Sequence, residues 1–241
     1  MRVAALADVH GNAVALEAVL AEVGRERPDL IVSCGDLTWG PLPLETVALL
    51  EPFEGVLCVR GNSERELVER TLLDSEIARW EHGQHDRPEL NQYLGRTQPT
   101  VTAEIPGLGT TLFCHGSPRS DEECVTVETP AARVAEFTDR VEAACVVTAH
   151  THMQYDRRVG DTRLLNPGSV GLPYEPEPGF AYWALLGPDV ELRRTPYDLD
   201  AALDRLRSGG MPSFERIEEL MRTPPQQAEV IEHAERVVFS G

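Results

Sequence analysis

Short apolar runs alternate with amphipathic segments over residues 2–60. The run RVAALADV at 2–9 ends in a polar turn, and apolar residues then recur at helical spacing over 12–26. The run LIVSC at 30–34, an amphipathic segment around 43–52 and the run VLCVR that follows it repeat this order. Short buried strands separated by helices predict an α/β fold whose parallel or mixed sheet is covered on both faces.

The rest of the chain changes character twice. Residues 64–95 contain charged helical sequence and no strand-like run, which predicts a helical insertion over the sheet edge. This insertion could be a lid that sets specificity, or it could only cover the sheet. Strand-like runs such as TTLFCHG, CVVTAHT and FAYWALL then dominate, with one helix near 130–141. Over 198–241 we predict a helical C-terminal extension of two or three amphipathic helices, broken at a Gly-Gly and a Pro-Pro pair. We expect one domain over 1–241.

Composition excludes several classes of function. The 40 acidic and 22 basic residues give a formal charge of −18, which disfavours stable binding to nucleic acid or to anionic membranes. All basic residues are Arg, so Schiff-base chemistry and a Walker-type lysine are excluded. No CxxC spacing occurs, which argues against thiolate zinc sites. No apolar run is long enough for a membrane helix and Asp8 interrupts the N-terminal one, so we expect a cytoplasmic location.

Side chains that can bind metal ions follow several predicted strands. The complete set is Asp8, His10, Asp36, Asn62, His115, His150 and His152. Each residue alone has an ordinary structural interpretation as a turn residue, a helix cap or a buried histidine. Because ligand sites of sheet proteins lie at strand ends, the whole set predicts a metal site. Mixed imidazole, carboxylate and amide donors suit a pair of divalent ions such as Mn, Fe, Ni or Zn.

The order of these motifs, D-x-H, G-D, G-N, H-G and H-T-H, resembles that of the calcineurin-like metallophosphoesterases. The segment NPGSVG at 166–171 looks like the one that follows the last histidine pair in the small bacterial branch of that family. The resemblance spans residue 2 to about residue 195. It implies a four-layer sandwich of two mixed β-sheets flanked by helices, to which the helical insertion and the helical C-terminus are added.

The resemblance also implies a role for each member of the set. One metal ion would be held by Asp8, His10, Asp36 and His152. The other would be held by Asp36, Asn62, His115 and His150, with Asp36 bridging. The residues expected to carry catalysis are Asp36, His10 and Asn62. Two divalent transition-metal ions, with Mn expected before Fe, Ni or Zn, would activate water and stabilise the transition state of phosphate ester or anhydride hydrolysis.

Three further residues are candidate contacts to a small phosphorylated substrate. Arg60 and Arg119 adjoin ligand turns and are candidate phosphate contacts, with an ordinary surface arginine as the alternative. Trp39 follows the G-D motif and is a candidate to stack on a nucleobase, with packing in the core as the alternative. His82 and His85 have ligand-like spacing, but EHGQHDRP is interpreted as an exposed loop.

The sequence departs from the protein-phosphatase branch of the family at two positions. In that branch a histidine after the G-N asparagine protonates the leaving group, and an aspartate a few residues past G-D supports it. Here Ser63 stands at the first position, and Thr38 and Trp39 occupy the region of the second. Without an imidazole acid, a leaving group of high pKa is not protonated as it departs. The sequence therefore favours small phosphodiesters or nucleotide anhydrides as substrates. Phosphomonoester hydrolysis is the alternative among enzymes.

A different class of function stays open beside hydrolysis. The retromer subunit that resembles these enzymes binds partner proteins, and another alternative is a member that binds nucleotide without hydrolysing it. All seven ligand positions carry competent residues here, which favours an enzyme. The C-terminal helices could dock on the sandwich or pair two subunits into a homo-oligomer.

Overall fold

Strands and helices alternate along most of the chain, which ends in helices. The computed structural model describes residues 1–71 and 74–237, so residues 72–73 of the predicted insertion and 238–241 of the predicted extension lie outside the described residues. In chain order the elements are β1 (Val3–Leu6), α1 (Ala13–Glu26), β2 (Leu30–Ser33), α2 (Pro43–Leu50), β3 (Val56–Cys58), α3 (Asn62–Glu69), α4 (Glu76–His85), α5 (Pro88–Leu94), β4 (Thr100–Ile105), β5 (Gly109–Cys114), α6 (Ala131–Thr138), β6 (Cys145–Val147), β7 (Gln154–Val159), β8 (Thr162–Pro167), β9 (Phe180–Leu186), β10 (Val190–Pro196), α7 (Leu199–Arg207), α8 (Phe214–Arg222) and α9 (Gln227–Val237). None of the helices in these two ranges has the length and apolar character needed to cross a membrane.

Strand β1 is apolar on both faces and lies at the centre of the first sheet, whose strand order is β10-β9-β1-β2-β3. It pairs in parallel with β2, where Val3 is opposite Leu30, and antiparallel with β9, where Val3 is opposite Leu186. The second sheet has the order β4-β5-β6-β8-β7 and also combines antiparallel and parallel pairs. Both sheets are therefore mixed, which confirms the prediction.

Alternate residues of β1 face two different apolar layers. Val3 packs between the two sheets in the same cluster as Phe113 of β5. Ala4 points the other way and packs in the cluster that contains Leu16 of α1. Phe137 of α6 packs on the outer face of the second sheet. Helices, sheet, sheet and helices follow one another in four layers, because successive strand residues point to opposite faces, and this confirms the predicted sandwich.

A third apolar cluster joins the helical insertion to the C-terminal extension. Ile217 of α8 packs with Leu203 of α7, and Ile77 of α4 packs against the same cluster. The three helices from α7 to α9 lie in the region 198–241, where two or three amphipathic helices were predicted. The predicted insertion 64–95 contains most of α3, all of α4 and all of α5. These two regions therefore pack on each other as well as on the sandwich.

The segment EHGQHDRP, expected to be an exposed loop, is instead mostly helical. Helix α4 continues through His85, whose buried imidazole has Nδ1 2.9 Å from the Glu81 carbonyl oxygen and Nε2 2.9 Å from Thr38 Oγ1. The expectation was wrong for two reasons. Ser75 caps the helix by accepting the Ala78 N–H, and the polar residues on the inner face of α4 have buried hydrogen-bond partners. Long-range partners of this kind leave no periodic signal in the sequence.

Residues 166–171 hold the chain just beyond β1. The Ser169 hydroxyl donates to the carbonyl oxygen of Asp8 at 2.7 Å, and the Gly171 N–H donates to the same oxygen at 3.0 Å. A Cβ atom at Gly171 would lie 1.8 Å from the carbonyl oxygen of Val9. Only glycine permits this close approach of two backbones, which explains the glycine that ends the NPGSVG segment.

We expect Gly171→Ala to lower the free energy of unfolding by about 1–3 kcal/mol, because the backbone must shift to admit the new Cβ. Gly24→Ala is the matched control, since Gly24 lies within α1 and a Cβ there meets no atom within 4 Å. That control should gain about 0.5–1 kcal/mol of stability. Urea denaturation measures the free energy of unfolding of both variants and of the wild type. A Gly171→Ala protein as stable as the wild type would contradict the close approach of the two backbones.

Candidate metal centre

Seven polar side chains lie together beyond the carboxyl ends of five strands. The turn after β1 carries Asp8 and His10, the turn after β2 carries Asp36, and α3 begins at Asn62 directly after β3. The segments that follow β5 and β6 supply the remaining imidazoles, which are His115, His150 and His152. Strands β1, β2 and β3 end at one edge of the first sheet, and β5 and β6 end at one edge of the second. The packing of the two sheets brings these distant residues into one site.

Asp8, His10 and His152 form a first cluster, in which the ligand atoms all lie within 4.8 Å of one another. Nε2 of His152 lies 3.3 Å from Oδ1 of Asp8 and 3.1 Å from Nε2 of His10. Nε2 of His10 lies 3.9 Å from the same carboxylate oxygen. All three side chains are buried. Their donor atoms converge as the ligands of one metal ion do.

Asp36, His115 and His150 form a second cluster, with ligand atoms again within 4.8 Å of one another. Asn62 adjoins it, because its Oδ1 lies 3.1 Å from Nε2 of His115. Asp36 faces both clusters: Oδ1 lies 3.6 Å from Nε2 of His115, and Oδ2 lies 3.9 Å from Nε2 of His10. This carboxylate is placed to be shared between two ions.

Five of the seven side chains project from left-handed backbone. The φ angles are 51° at Asp8, 49° at His10, 51° at Asp36, 64° at His150 and 58° at His152. Residues other than glycine rarely adopt this conformation, which costs about 1–3 kcal/mol at each position. Such strain is concentrated where the donor atoms converge, and this concentration is typical of a functional site.

Backbone carbonyl groups orient two of the imidazoles. Nδ1 of His115 lies 2.9 Å from the carbonyl oxygen of Cys34, and Nδ1 of His152 lies 2.6 Å from that of Leu172. A carbonyl oxygen can only accept, so each Nδ1 donates, and in the neutral imidazole the lone pair then lies on Nε2. Both Nε2 atoms face the clusters, which is the usual arrangement of a metal-binding histidine.

Burial and the neighbouring imidazoles adjust the charges of the site. Burial, followed by the charge of His152, lowers the pKa of His10 to about 4. Burial, followed by the charge of His115, lowers the pKa of His150 to about 4. Although burial alone would raise it, the imidazoles of His152 and His115 hold the pKa of Asp8 well below its usual range. Burial lowers the pKa of His152, but the Asp8 carboxylate raises it above its usual value. A bound cation would therefore displace a proton there, because metal ions bind ionised carboxylate and neutral imidazole.

The donor set fits two divalent cations. Oδ1 of Asp8 is buried and accepts no hydrogen bond from the described residues, whereas Oδ2 accepts the N–H of His150 at 3.1 Å. A buried polar atom without a partner costs about 1–3 kcal/mol, and more when it is charged. A cation bound between the donors would remove that cost. Imidazole, carboxylate and amide donors together suit Mn, Fe, Ni or Zn.

The start of α3 holds the Asp36 carboxylate in place. The Ser63 hydroxyl donates to Oδ1 of Asp36 at 2.6 Å, and the Ser63 N–H donates to the same oxygen at 3.1 Å. A Cβ atom at Gly61 would lie 2.0 Å from that oxygen, so glycine is required there. Ser63 is buried and orients a ligand, a role that the sequence comparison with the phosphatase branch did not predict.

Glu64 ties together the turns that carry Asp36 and Asn62, and it was not identified from the sequence. Its buried carboxylate accepts the backbone N–H groups of Asp36, Leu37 and Gly61, each at 2.9 Å. Burial, followed by the charge of Asp36, raises the pKa of Glu64 to about 7. Glu64 is the third residue of α3 and accepts the N–H of the N-cap residue Gly61, which is the glutamate half of a capping box; a glutamate at this spacing is the signal that the sequence offers.

A buried hydrogen-bond chain connects this carboxylate to α4. The Thr38 hydroxyl lies 3.4 Å from Oε1 of Glu64 and 2.9 Å from Nε2 of His85. On the same helix, the Glu81 carboxylate accepts the N–H of Gly40 at 3.1 Å. The helical insertion therefore contacts the turn after β2 through buried polar groups as well as through apolar side chains.

The three predicted substrate contacts lie in two different cavities. Trp39 stands edge-on to His10, with ring centroids 5.4 Å apart. It lines a cavity of about 420 Å³, called the cleft below, together with residues of both clusters. Arg60 and Arg119 line a second cavity of about 290 Å³, called the arginine cavity below, whose wall includes His115. The two arginines and the tryptophan are therefore not in the same cavity.

Comparison with known proteins gives a family match and several similar structures. A family model described as calcineurin-like phosphoesterase superfamily domain matches residues 1–186. A metallophosphoesterase from Sphaerobacter thermophilus is 27% identical, with a TM-score of 0.72 over 92% of this chain and 98% of that chain. The hypothetical protein PH1004 from Pyrococcus horikoshii OT3 is 18% identical, with a TM-score of 0.76 over 93% and 99%. YfcE, a phosphoesterase from E. coli, is 20% identical, with a TM-score of 0.51 over 82% and 100%. No curated protein sequence matches significantly.

We expect Glu64→Ala to weaken Mn²⁺ affinity about 10–100-fold, because residues that orient metal ligands have effects of this size. It should also lower the thermal midpoint, since buried N–H groups lose their acceptor. Glu69→Ala is the control, because Glu69 is exposed on the same helix and contacts only Arg65, at 3.5 Å, among the described residues. Calorimetric Mn²⁺ titration measures the difference, and wild-type affinity in Glu64→Ala would contradict the role described.

Proposed function

The chain belongs to the calcineurin-like phosphoesterase superfamily, and on that premise we propose that it hydrolyses phosphate esters or anhydrides with two divalent metal ions. The observation that carries the proposal is the position of Asp36, whose two oxygens face the two clusters. Two divalent ions would supply Lewis acidity and water activation at this place. We propose Mn as the metal, with Fe, Ni or Zn as alternatives of similar ligand preference.

The described contacts support distinct roles for the residues of the two clusters. We propose that one ion is held by Asp8, His10, Asp36 and His152. The other is held by Asp36, Asn62, His115 and His150. Asp36, His10 and Asn62 line the cleft, so their side chains are accessible to a substrate bound there. His150 and His152 line the cleft as well. Our assignment of the catalytic contacts to Asp36, His10 and Asn62 therefore follows the family resemblance, and their accessibility supports it.

The arginine cavity supports a role in phosphate binding. The chain carries a formal charge of −18, so an anionic substrate needs local attraction. Arg60 and Arg119 lie in a cavity that reaches His115 of the second cluster, although Arg119 also donates to Glu123 at 2.6 Å. We propose that these guanidinium groups contact phosphoryl oxygens, which they recognise by charge and by paired N–H donors.

The position of Ser63 supports a preference among substrates. Its hydroxyl donates to Asp36, and its side chain is buried, so it offers no proton to a leaving group. A leaving group of low pKa departs without such help, whereas an alkoxide does not. We therefore propose small phosphodiesters or nucleotide anhydrides as substrates, with phosphomonoesters as the alternative.

A non-catalytic member of the same fold is the second candidate function. Such a protein would bind nucleotide or a protein partner and would not need a complete set of metal ligands. The presence of all seven competent side chains, five of them held in strained backbone, favours the enzyme. A cytoplasmic location and a homo-oligomeric state stay predictions from the sequence.

We expect Asp36→Asn to lower kcat/KM for a chromogenic phosphodiester at least about 100-fold. Loss of a residue that only orients a metal ligand lowers activity up to about 100-fold, and loss of a ligand shared by both ions should lower it at least as much. The metal content should fall below the two equivalents expected for the wild type. Asp74→Asn is the control, since Asp74 is exposed and pairs with Arg79 on the surface. Metal analysis and steady-state kinetics with Mn²⁺ check both results, and full activity in Asp36→Asn would exclude the bridging role.

The rate should depend steeply on the pKa of the leaving group. A series of substituted phenyl phosphodiesters, assayed with Mn²⁺ at one pH, measures this dependence. We expect the rate to fall at least about tenfold from the nitrophenyl to the unsubstituted phenyl ester, because no side chain protonates the departing oxygen. A rate independent of leaving-group pKa would show that a general acid acts in the site.

A further inference from the structure

Part of the wall of the cleft is formed by residues that lie outside the region matched by the family model. Its floor is formed by His10, Asp36, Asn62, His150 and His152. Its other side carries Trp39, Ile77 of α4, and residues 211–220 of the C-terminal extension. The family model ends at residue 186. The volume of about 420 Å³ falls within the range of small-molecule sites.

Apolar packing fixes this wall. The inner face of α8 is formed by Phe214, Ile217 and Met221, which are 4%, 6% and 4% exposed. These side chains pack in the cluster that also contacts Ile77 and Trp39. The extension and the insertion therefore hold each other beside the metal ligands, and the cleft is built before any substrate binds.

Arg216 is the one arginine among the residues that line the cleft within the described part of the chain. Its side chain is exposed, and no described residue forms an ion pair or a side-chain hydrogen bond with it. Other arginines of the extension are paired: Arg222 lies 2.9 Å from Asp200 and 3.1 Å from Glu218. A guanidinium group without a carboxylate partner is available to bind an anion, and its planar fork suits phosphate.

The apolar side chains of the cleft suit a flat ring. Trp39 offers an aromatic surface next to His10, and Tyr174 stacks on His152 with ring centroids 4.7 Å apart. Met211 and Leu220 complete the apolar side. Aromatic and apolar walls of this kind bind planar rings by stacking and by exclusion of water.

We infer that the C-terminal extension determines substrate specificity. The cleft binds a nucleotide whose reacting phosphoryl group lies at the two clusters. Its base packs against Trp39 and the α8 wall, and a second phosphate pairs with Arg216. This assignment rests on the proposed function and chooses nucleotide anhydrides over small phosphodiesters among its substrates.

The kinetic test compares two substrates in the Mn²⁺-loaded full chain. Diadenosine tetraphosphate carries bases and additional phosphates, whereas bis(p-nitrophenyl) phosphate carries neither. We expect Arg216→Gln to lower the ratio of kcat/KM for the first substrate over the second at least about tenfold, as loss of a charge-assisted hydrogen bond does. Arg222→Gln, on the same helix and outside the cleft, should keep the wild-type ratio. Leu220→Trp, which narrows the cleft from the same helix, should lower this ratio of kcat/KM.

A binding measurement separates this inference from the proposed function. Calorimetric titration with α,β-methylene ADP should give a Kd at least about tenfold weaker for Arg216→Gln than for Arg222→Gln. Arg216-dependent binding with no hydrolysis of either substrate would overturn the proposed function and keep the nucleotide site. Hydrolysis with an unchanged substrate ratio and unchanged binding in Arg216→Gln would overturn this inference alone. A wild-type protein that neither binds nor hydrolyses would overturn both.

Discussion

Two buried carboxylates whose ionic partners among the described residues are histidines, with no arginine beside them, are the constraint on which this site depends. Asp8 and Asp36 are 0% and 4% exposed, and their ionic contacts within the described residues are to histidines alone. Nε2 of His115 lies 4.0 Å from one carboxylate and 3.6 Å from the other. Burying an ion in this way costs several kcal/mol unless an opposite charge accompanies it. Divalent cations meet this requirement and at the same time attract an anionic substrate.

The backbone around the ligands is organised to hold this unfavourable arrangement. Strained residues such as Asp8 and Asp36 keep their left-handed conformations because hydrogen bonds fix the turns on both sides. Ser169 bonds the first turn, and Glu64 bonds the second. Gly61 lets one helix start against the Asp36 carboxylate itself. Hydrogen bonds from residues that are not metal ligands themselves, such as Ser169 and Glu64, thus offset the cost of backbone strain and of buried charge.

The sequence predicted the candidate site best at the ends of strands. A polar residue directly after a buried apolar run is visible in the sequence, and parallel strands then bring such residues to one edge, so the grouping of Asp8 with Asp36 could be predicted. His150 follows a strand of the second sheet, and its place beside them was implied by the family resemblance. The alternation predicted a parallel or mixed sheet covered on both faces, whereas the two mixed sheets and the four layers were implied by the family resemblance. Both depend on local patterns, which a single sequence records.

Contacts between distant segments were not predictable in the same way. His85 was placed in a loop because its partner Thr38 lies far away in the sequence, and only the fold brings the two together. Glu64 carried a capping signal, but its bond to Leu37 depends on how two turns meet. Arg216 lies in the C-terminal helices, for which the sequence left docking on the sandwich and pairing of subunits both open, and its place in the cleft depends on the packing of the extension.

Anomalous diffraction at the Mn absorption edge, from crystals of the Mn²⁺-loaded protein, tests the central claim most directly. We predict two peaks, one among Asp8, His10 and His152 and the other among Asp36, His115 and His150, with the Asp36 carboxylate between them. A single peak, or none at these residues with the carboxylates still buried, would contradict the account.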